Sequence, residues 1–266
     1  MSKIGFIGCG NMGGTLAKAA AKSENEIYLA DYSFEKAEDL AKQIGAKALY
    51  NVDIAAGCDL IFLGVKPQVL SSVLADLKHI LSVRHQNFCL VSMAAGVTIE
   101  SLKEMAGGDY PIIRIMPNTP AAVENGMILY CQSENVTNEQ VQLFLNSMAS
   151  AGTLDSIDET LIDAGCAVSG CGPAFVYMFI DALADGGVKC GLLREQALIY
   201  AAETVLGAAK MVKESGISPE ELKNAVCSPN GSTIEGVKVL ESLNLKDTCI
   251  SAVLASFKRT KELGQK

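Results

Sequence analysis

Short runs of apolar residues separated by amphipathic stretches fill the first half of the chain. Lys3–Cys9 is one such run, followed by an alanine-rich segment, Asn11–Lys22, with helical spacing. Glu26–Asp31 predicts a second strand and Phe34–Ile44 a second helix, with Ser33 as its N-cap. Asp59–Val65, Asn87–Ser92 and Ile112–Met116 are three more runs, each leading through a turn into a polar-patterned segment. Strands of this kind, lying between helices, predict a parallel sheet. Gly126–Gln132 and Thr153–Ile157 read as late strands on either side of a helix at Asn138–Ala151.

The pattern changes after Ile157. Between Glu159 and Phe257 nothing reads as a strand, and the Ala-, Leu- and Gly-rich text has helical periodicity. The expected fold class is therefore α/β: an N-terminal Rossmann-type doubly wound sheet over residues 1–157, then an all-α C-terminal domain over 158–266. The helical part is apolar for its size, which predicts burial against a partner subunit.

Composition narrows the classes. The 266 residues are 49% hydrophobic and 20% charged, a globular balance, and the net charge of −8 argues against nucleic acid or an anionic membrane as partner. No leader segment and no membrane-length apolar run is expected. The nine cysteines are odd in number and form no C-x-x-C pair, so they read as reduced core thiols of a cytoplasmic protein. The two histidines, His79 and His85, supply the parts for neither a zinc site nor a Ser-His-Asp triad, and no metal is expected.

Gly8-Cys-Gly10-Asn-Met-Gly13 places G-x-G-x-x-G between the first strand and the first helix. There Gly8 permits a tight turn, Gly10 lets the backbone approach a pyrophosphate, and Gly13 lets helix and strand pack closely. The helix start presents unpaired N–H groups and a positive dipole end to the phosphates. Asp31 ends the second strand where a ribose-binding acid belongs. Its carboxylate suits the 2′-hydroxyl of NADH and would repel the 2′-phosphate of NADPH, although it could also cap the helix near Phe34. Val65-Lys66-Pro67, Met93–Gly96 and Met116–Pro120 stand at further strand ends lining the same crevice. The cofactor set comprises Gly8, Gly10, Asn11, Met12, Gly13, Asp31, Asn51, Val65, Lys66, Pro67, Ala95 and Asn118.

Together with "GFIGCGNMG" (5–13), "VKP" (65–67) and "AAGVTI" (94–99), four later motifs carry a specific resemblance. They are "MPNTPAAV" (116–123), "SGCGPAF" (169–175), "DALADGGVKCGL" (181–192) and "SPNGSTIEGV" (228–237). In this order they resemble pyrroline-5-carboxylate reductase, essentially end to end. The resemblance implies reduction of the cyclic imine of 1-pyrroline-5-carboxylate to L-proline with a hydride from NADPH or NADH. A protonated imine is a strong electrophile that needs orientation more than acid–base apparatus, which suits a histidine-poor chain. "SPNGST" followed by a helix offers backbone N–H groups and hydroxyls to a carboxylate. By resemblance Ser228, Gly231, Ser232 and Thr233 hold the substrate carboxylate, and Thr233 brings a hydroxyl to the ring nitrogen as partner or proton donor. "SGCGPAF" would face the nicotinamide and imine, with Pro173 in the first turn of a helix. Interlocked helical domains of a homodimer, able to assemble further, are also implied.

Cys171, Asn230, Ser232, Ser218 and Asp31 depart from the usual residues of that family. Asn230 suits a left-handed backbone. Two rival readings stay in view: a 3-hydroxyacid dehydrogenase using Lys189, and a regulator that binds NAD(P) without turnover.

Overall fold

The computed structural model describes residues 1–264. Its strands are β1 (Lys3–Ile7), β2 (Glu26–Ala30), β3 (Lys47–Ala48), β4 (Leu60–Leu63), β5 (Cys89–Ser92), β6 (Ile112–Met116), β7 (Gly126–Gln132) and β8 (Gly152–Ser156). Between them run α1 (Asn11–Ala20), α2 (Phe34–Ile44), α3 (Asn51–Gly57), α4 (Pro67–Val83), α5 (Ile99–Ala106) and α6 (Asn138–Met148). The strands form one sheet in the order β3-β2-β1-β4-β5-β6-β7-β8.

Every neighbouring pair is parallel except β6–β7. Only a 3₁₀ turn, Thr119–Val123, joins those two strands. A parallel return needs a longer crossover, so β7 comes back antiparallel. Alternation along β4 shows how the sheet is covered. Ile61 and Leu63 enter the layer with Leu74 and Leu90, while Leu60 and Phe62 enter the one with Phe6, Leu16 and Phe144. The Phe6 and Phe62 rings stack at 4.4 Å. Each such buried side chain contributes about 1.5–3 kcal/mol, so this part of the chain carries its own core.

Local details differ from the pattern. β3 and α3 were not separable from it, because two residues make too short a strand to show alternation. Ser33 does stand at the N-cap of α2, but its hydroxyl makes no capping bond. Asp31 Oδ1 instead accepts the Ser33 N–H at 3.2 Å.

After β8 come α7 (Ile162–Gly165), a π-helical turn at Cys166–Gly170, α8 (Gly172–Lys189), α9 (Arg194–Ser215), α10 (Pro219–Ala225), α11 (Ser232–Ser242) and α12 (Leu245–Gly264). The chain forms two compact units: Met1–Cys171 together with the segment from Ser256 onward, and Gly172–Ala255. In the second unit the buried apolar core is small, consisting of Ala184, Ala197 and Ala201 where α8 meets α9. Val176, Met178, Leu193, Ile199 and Leu206 lie exposed. That balance leaves a helical unit short of apolar cover.

The expectation of no membrane-length apolar run needs correcting. Glu159–Lys189 is one helical run long and apolar enough to cross a bilayer, with mean hydropathy 1.5 and 11% of that window buried. That run comprises α7, the π turn at Cys166–Gly170 and α8.

Five cysteines, Cys9, Cys58, Cys89, Cys131 and Cys166, are buried thiols. Burial pushes Cys58, Cys89 and Cys131 up to about 12 from a usual value near 9. Such a thiol contributes stability that is fully present below about pH 9 and is lost as pH rises toward 12, because the unfolded chain ionises first. Tm is expected to hold from about pH 8 to about pH 9 and then decline, less steeply in Cys89→Ala. A thermal-melt series against pH checks this.

Candidate active site

The strand order reverses direction at β1, with β2 on one side and β4 on the other, which opens a crevice beyond their carboxyl ends. Gly8, Gly13 and Gly64 close-pack at its floor. Gly8 has φ +101°, and a Cβ there would lie 2.7 Å from the Gly64 carbonyl carbon. A Cβ on Gly13 would lie 2.1 Å from Gly8 O, and one on Gly64 would lie 2.6 Å from the same oxygen. At Gly10 a Cβ would meet no protein atom within 4 Å, so that side faces open space. The tight turn at Gly8 and the close packing at Gly13 match what was expected of the first and third motif glycines. Gly64 was missed, and its only sequence signal was a glycine directly after an apolar strand.

Gly10 is also the N-cap of α1 and offers no side chain to its N–H groups. The first intrahelical bond there is Gly14 N–H to Gly10 O at 2.8 Å, which leaves the N–H groups of Asn11, Met12 and Gly13 without helical acceptors. Two clefts meet at Gly10–Asn11. One, of about 600 Å³, is lined by Cys9, Thr15, Ser33, Lys36 and Gln43. The other, of about 510 Å³, is lined by Met12, Gly64, Val65, Lys66, Met93 and Pro117. A bipartite ligand with an anionic centre fits this arrangement, its two ends in the clefts and its charge over the α1 N-terminus.

Asp31 is more engaged than a free ribose acceptor. Its Oδ2 accepts the Cys9 N–H at 2.7 Å, its Oδ1 accepts the Ser33 N–H at 3.2 Å, and Lys36 Nζ stands 3.8 Å away. The carboxylate thus braces the glycine-rich loop, and each oxygen keeps capacity for one more donor. Cys9 beside it is held as a thiol: burial first, then the Asp31 charge, push it up to about 11.

The other cofactor candidates divide. Lys66 is the exposed N-cap of α4, with Pro67 at the first helical position. Ala95 lies half-buried in the turn before α5, and Asn51 opens α3, half-buried; neither these two nor Pro67 lines the two clefts. Asn118 is 8% exposed and spends its amide inside the protein. Its Oδ1 accepts the Met127 N–H at 2.8 Å and its Nδ2 donates to Ser169 O at 2.9 Å.

In the second unit, Ser228-Pro229-Asn230-Gly231 forms a tight turn closed by Gly231 N–H to Ser228 O at 3.0 Å. Asn230 adopts φ +59°, which with proline before it is the type II pattern. A Cβ on Gly231 would strike Ser228 Oγ at 2.4 Å. Gly231 then caps α11 without a side-chain bond, so Ser232 and Thr233 begin the helix exposed, their N–H groups lacking helical acceptors. All four predicted substrate residues are therefore brought together at one helix start. Ser218 opens α10 with a capping box to Glu221. Lys189, the lysine of the rival dehydrogenase reading, ends α8 exposed.

Comparison with known proteins decides the family. A family model described as pyrroline-5-carboxylate reductase dimerisation matches residues 159–263, and one described as NADP oxidoreductase, coenzyme F420-dependent, matches residues 3–96. Pyrroline-5-carboxylate reductase of Escherichia coli is 40% identical over 268 residues, covering 99% of this chain and 98% of the relative. The chain belongs to the pyrroline-5-carboxylate reductase family. Among solved members, the Plasmodium falciparum enzyme with NADP bound superposes with a TM-score of 0.88 at 35% identity, covering 99% of this chain and 98% of that one. The Coxiella burnetii enzyme gives 0.90 at 33% identity, with 100% and 99% covered. Prephenate dehydrogenase of Aquifex aeolicus, at 15% identity and 0.53, shares the fold alone.

The sequence reading also passed over a buried charge cluster. Arg114, on β6, is 1% exposed and pairs with Glu159 and Asp163. Its signal was a lone arginine in the apolar strand "IIRIM".

Proposed function

We propose that this chain reduces 1-pyrroline-5-carboxylate to L-proline with NAD(P)H, the helix start at Gly231–Thr233 holding the substrate carboxylate. The observation that carries the reading is the uncapped start of α11 behind the Ser228–Gly231 turn, where the Ser232 and Thr233 N–H groups lack helical acceptors beside three hydroxyl-bearing residues, Ser228, Ser232 and Thr233. A carboxylate gains both the hydrogen bonds and the helix dipole there. The Gly8–Gly13–Gly64 cradle and its two clefts fit a dinucleotide, which when bound supplies the hydride to the imine carbon. Thr233 holds the ring nitrogen through its hydroxyl, so that the nitrogen keeps the proton that makes the carbon electrophilic. Val65, Met93 and Pro117 supply apolar surface that keeps water from the reacting face.

Oligomerisation accompanies this activity. The region matched by the dimerisation family is the one with exposed apolar helices. We read it as an interlocked homodimer that can assemble further, and the bilayer-length run as surface for a partner subunit. Sedimentation velocity is expected to show a dimer or larger species and no monomer. The nine free thiols suit a cytoplasmic setting.

The direct test is oxidation of NADH and of NADPH by the purified protein with 1-pyrroline-5-carboxylate. Binding of NADH without its oxidation would return the chain to the regulator reading. Asp31 sets the cofactor prediction. Wild type is expected to favour NADH, and Asp31→Ser to shift the ratio of kcat/KM values toward NADPH by about tenfold, or 1.4 kcal/mol. A wild type that strongly prefers NADPH removes Asp31 from specificity and leaves it the loop brace.

A further inference from the structure

We propose that Arg114 is a positioning residue for imine reduction, acting through the π turn at Cys166–Gly170; this rests on the reading that the "SGCGPAF" segment faces the reacting centre. Arg114 donates from Nη2 to Asp163 Oδ1 at 2.7 Å and from Nη1 to Glu159 Oε1 at 3.3 Å. The same Glu159 oxygen accepts the Ile99 N–H at 2.7 Å. One guanidinium thereby ties three segments together: β6, which runs into Met116-Pro117-Asn118; the start of α5, just after the Met93–Gly96 turn; and α7, which runs into the π turn.

Stability alone does not account for this cluster. Arg114 Nε is buried without a partner, and two carboxylates oppose one cation. Apolar side chains of similar volume commonly pack such a site at equal or lower cost. The segment it holds does need fixing. Cys171 N–H reaches back to Cys166 O at 3.0 Å, a span one residue longer than an α-helical bond. Such turns are rare and persist where the surroundings over-determine them. Asn118 grips the same turn from the other end through Ser169 O. If the turn relaxes to α-helical spacing, one residue is redistributed, and the backbone beyond it rotates by about 100° and moves about 1.5 Å along the axis. Ser169 and Gly170 would then lose their present aim while the glycine cradle, built from β1, α1 and the end of β4, stays as it is.

The test compares wild type, Arg114→Lys, Arg114→Met and the triple variant Arg114→Met/Glu159→Gln/Asp163→Asn, which leaves no stranded carboxylate if the single change fails to fold. Wild-type turnover with 1-pyrroline-5-carboxylate is recorded first, so that failure of the functional reading is distinguishable from failure of this one. The methionine variants are expected to bind NADH within about threefold of wild type while kcat falls about tenfold or more. Amide exchange should speed up at residues 166–171 and not at 8–14. Arg114→Lys should recover part of kcat, since an ammonium meets one carboxylate well but lacks the fork for two. A methionine or triple variant with kcat within twofold of wild type overturns the proposal. So does a kcat loss matched by an equal loss of NADH binding, or failure of every neutral variant to fold.

Discussion

Gly13→Ala is expected to abolish measurable NADH binding and to lower Tm by about 6–12 °C. The added Cβ would sit 2.1 Å from Gly8 O, which is backbone and cannot swing aside. Either α1 moves off β1 or the Gly8 turn opens. Overpacking against rigid neighbours costs up to about 3 kcal/mol, and each kcal/mol shifts Tm by about 2–4 °C at this size. The same shift displaces the Asn11–Gly13 N–H groups, which lack helical acceptors and which we propose hold the pyrophosphate. Gly10→Ala is the contrast, because its Cβ would meet no protein atom. It should leave Tm within about 2 °C yet weaken NADH binding about tenfold or more, since the methyl occupies the space for the ligand's closest approach. Calorimetric melts with fluorescence titration of NADH separate the two. Equal Tm in both variants would mean that Gly13 does not hold helix against strand.

Thr233→Ala is expected to lower kcat/KM for 1-pyrroline-5-carboxylate by about 10- to 100-fold while NADH affinity stays within twofold. A hydrogen bond to a charged group contributes about 1.5–3 kcal/mol, and each 1.4 kcal/mol is tenfold. Thr233 is exposed at the second position of α11, and its hydroxyl makes no hydrogen bond among the described residues, so Tm should hardly change. Proline, which carries the same carboxylate and ring nitrogen, should bind more weakly to the variant in the same proportion. Steady-state kinetics and proline inhibition measure both. Unchanged turnover would reduce the SPNGST stretch to a turn between two helices.

How much of this was legible beforehand depends on the range of the interactions. The strand-to-helix alternation, the second-helix bounds at Phe34 and Ile44, and the tight turn at Gly8 and close packing at Gly13 all follow from local rules about burial and backbone freedom. The Asn230 backbone could be read from its turn chemistry in the same way. Asp31 was legible only in part. Its position at the end of β2 suggests a ribose acid, but nothing local says that Cys9, 22 residues earlier, donates to it. Asn118 shows the same limit, since its partner Ser169 lies 51 residues away. The continuous helix through Gly165–Gly170 was illegible because a π turn depends on what grips it from outside.

Residue order alone was enough to read the α/β-then-helical architecture, the glycine-rich loop after β1 and the turn that opens α11, because periodicity, glycine placement and capping act over a few residues. It took the folded chain to show that Gly64 completes the cradle, that Asp31 braces its own loop, and that Arg114 gathers Glu159, Asp163 and the start of α5. Those facts rest on pairings between segments tens of residues apart, and such pairings exist only once the sheet has brought the segments together.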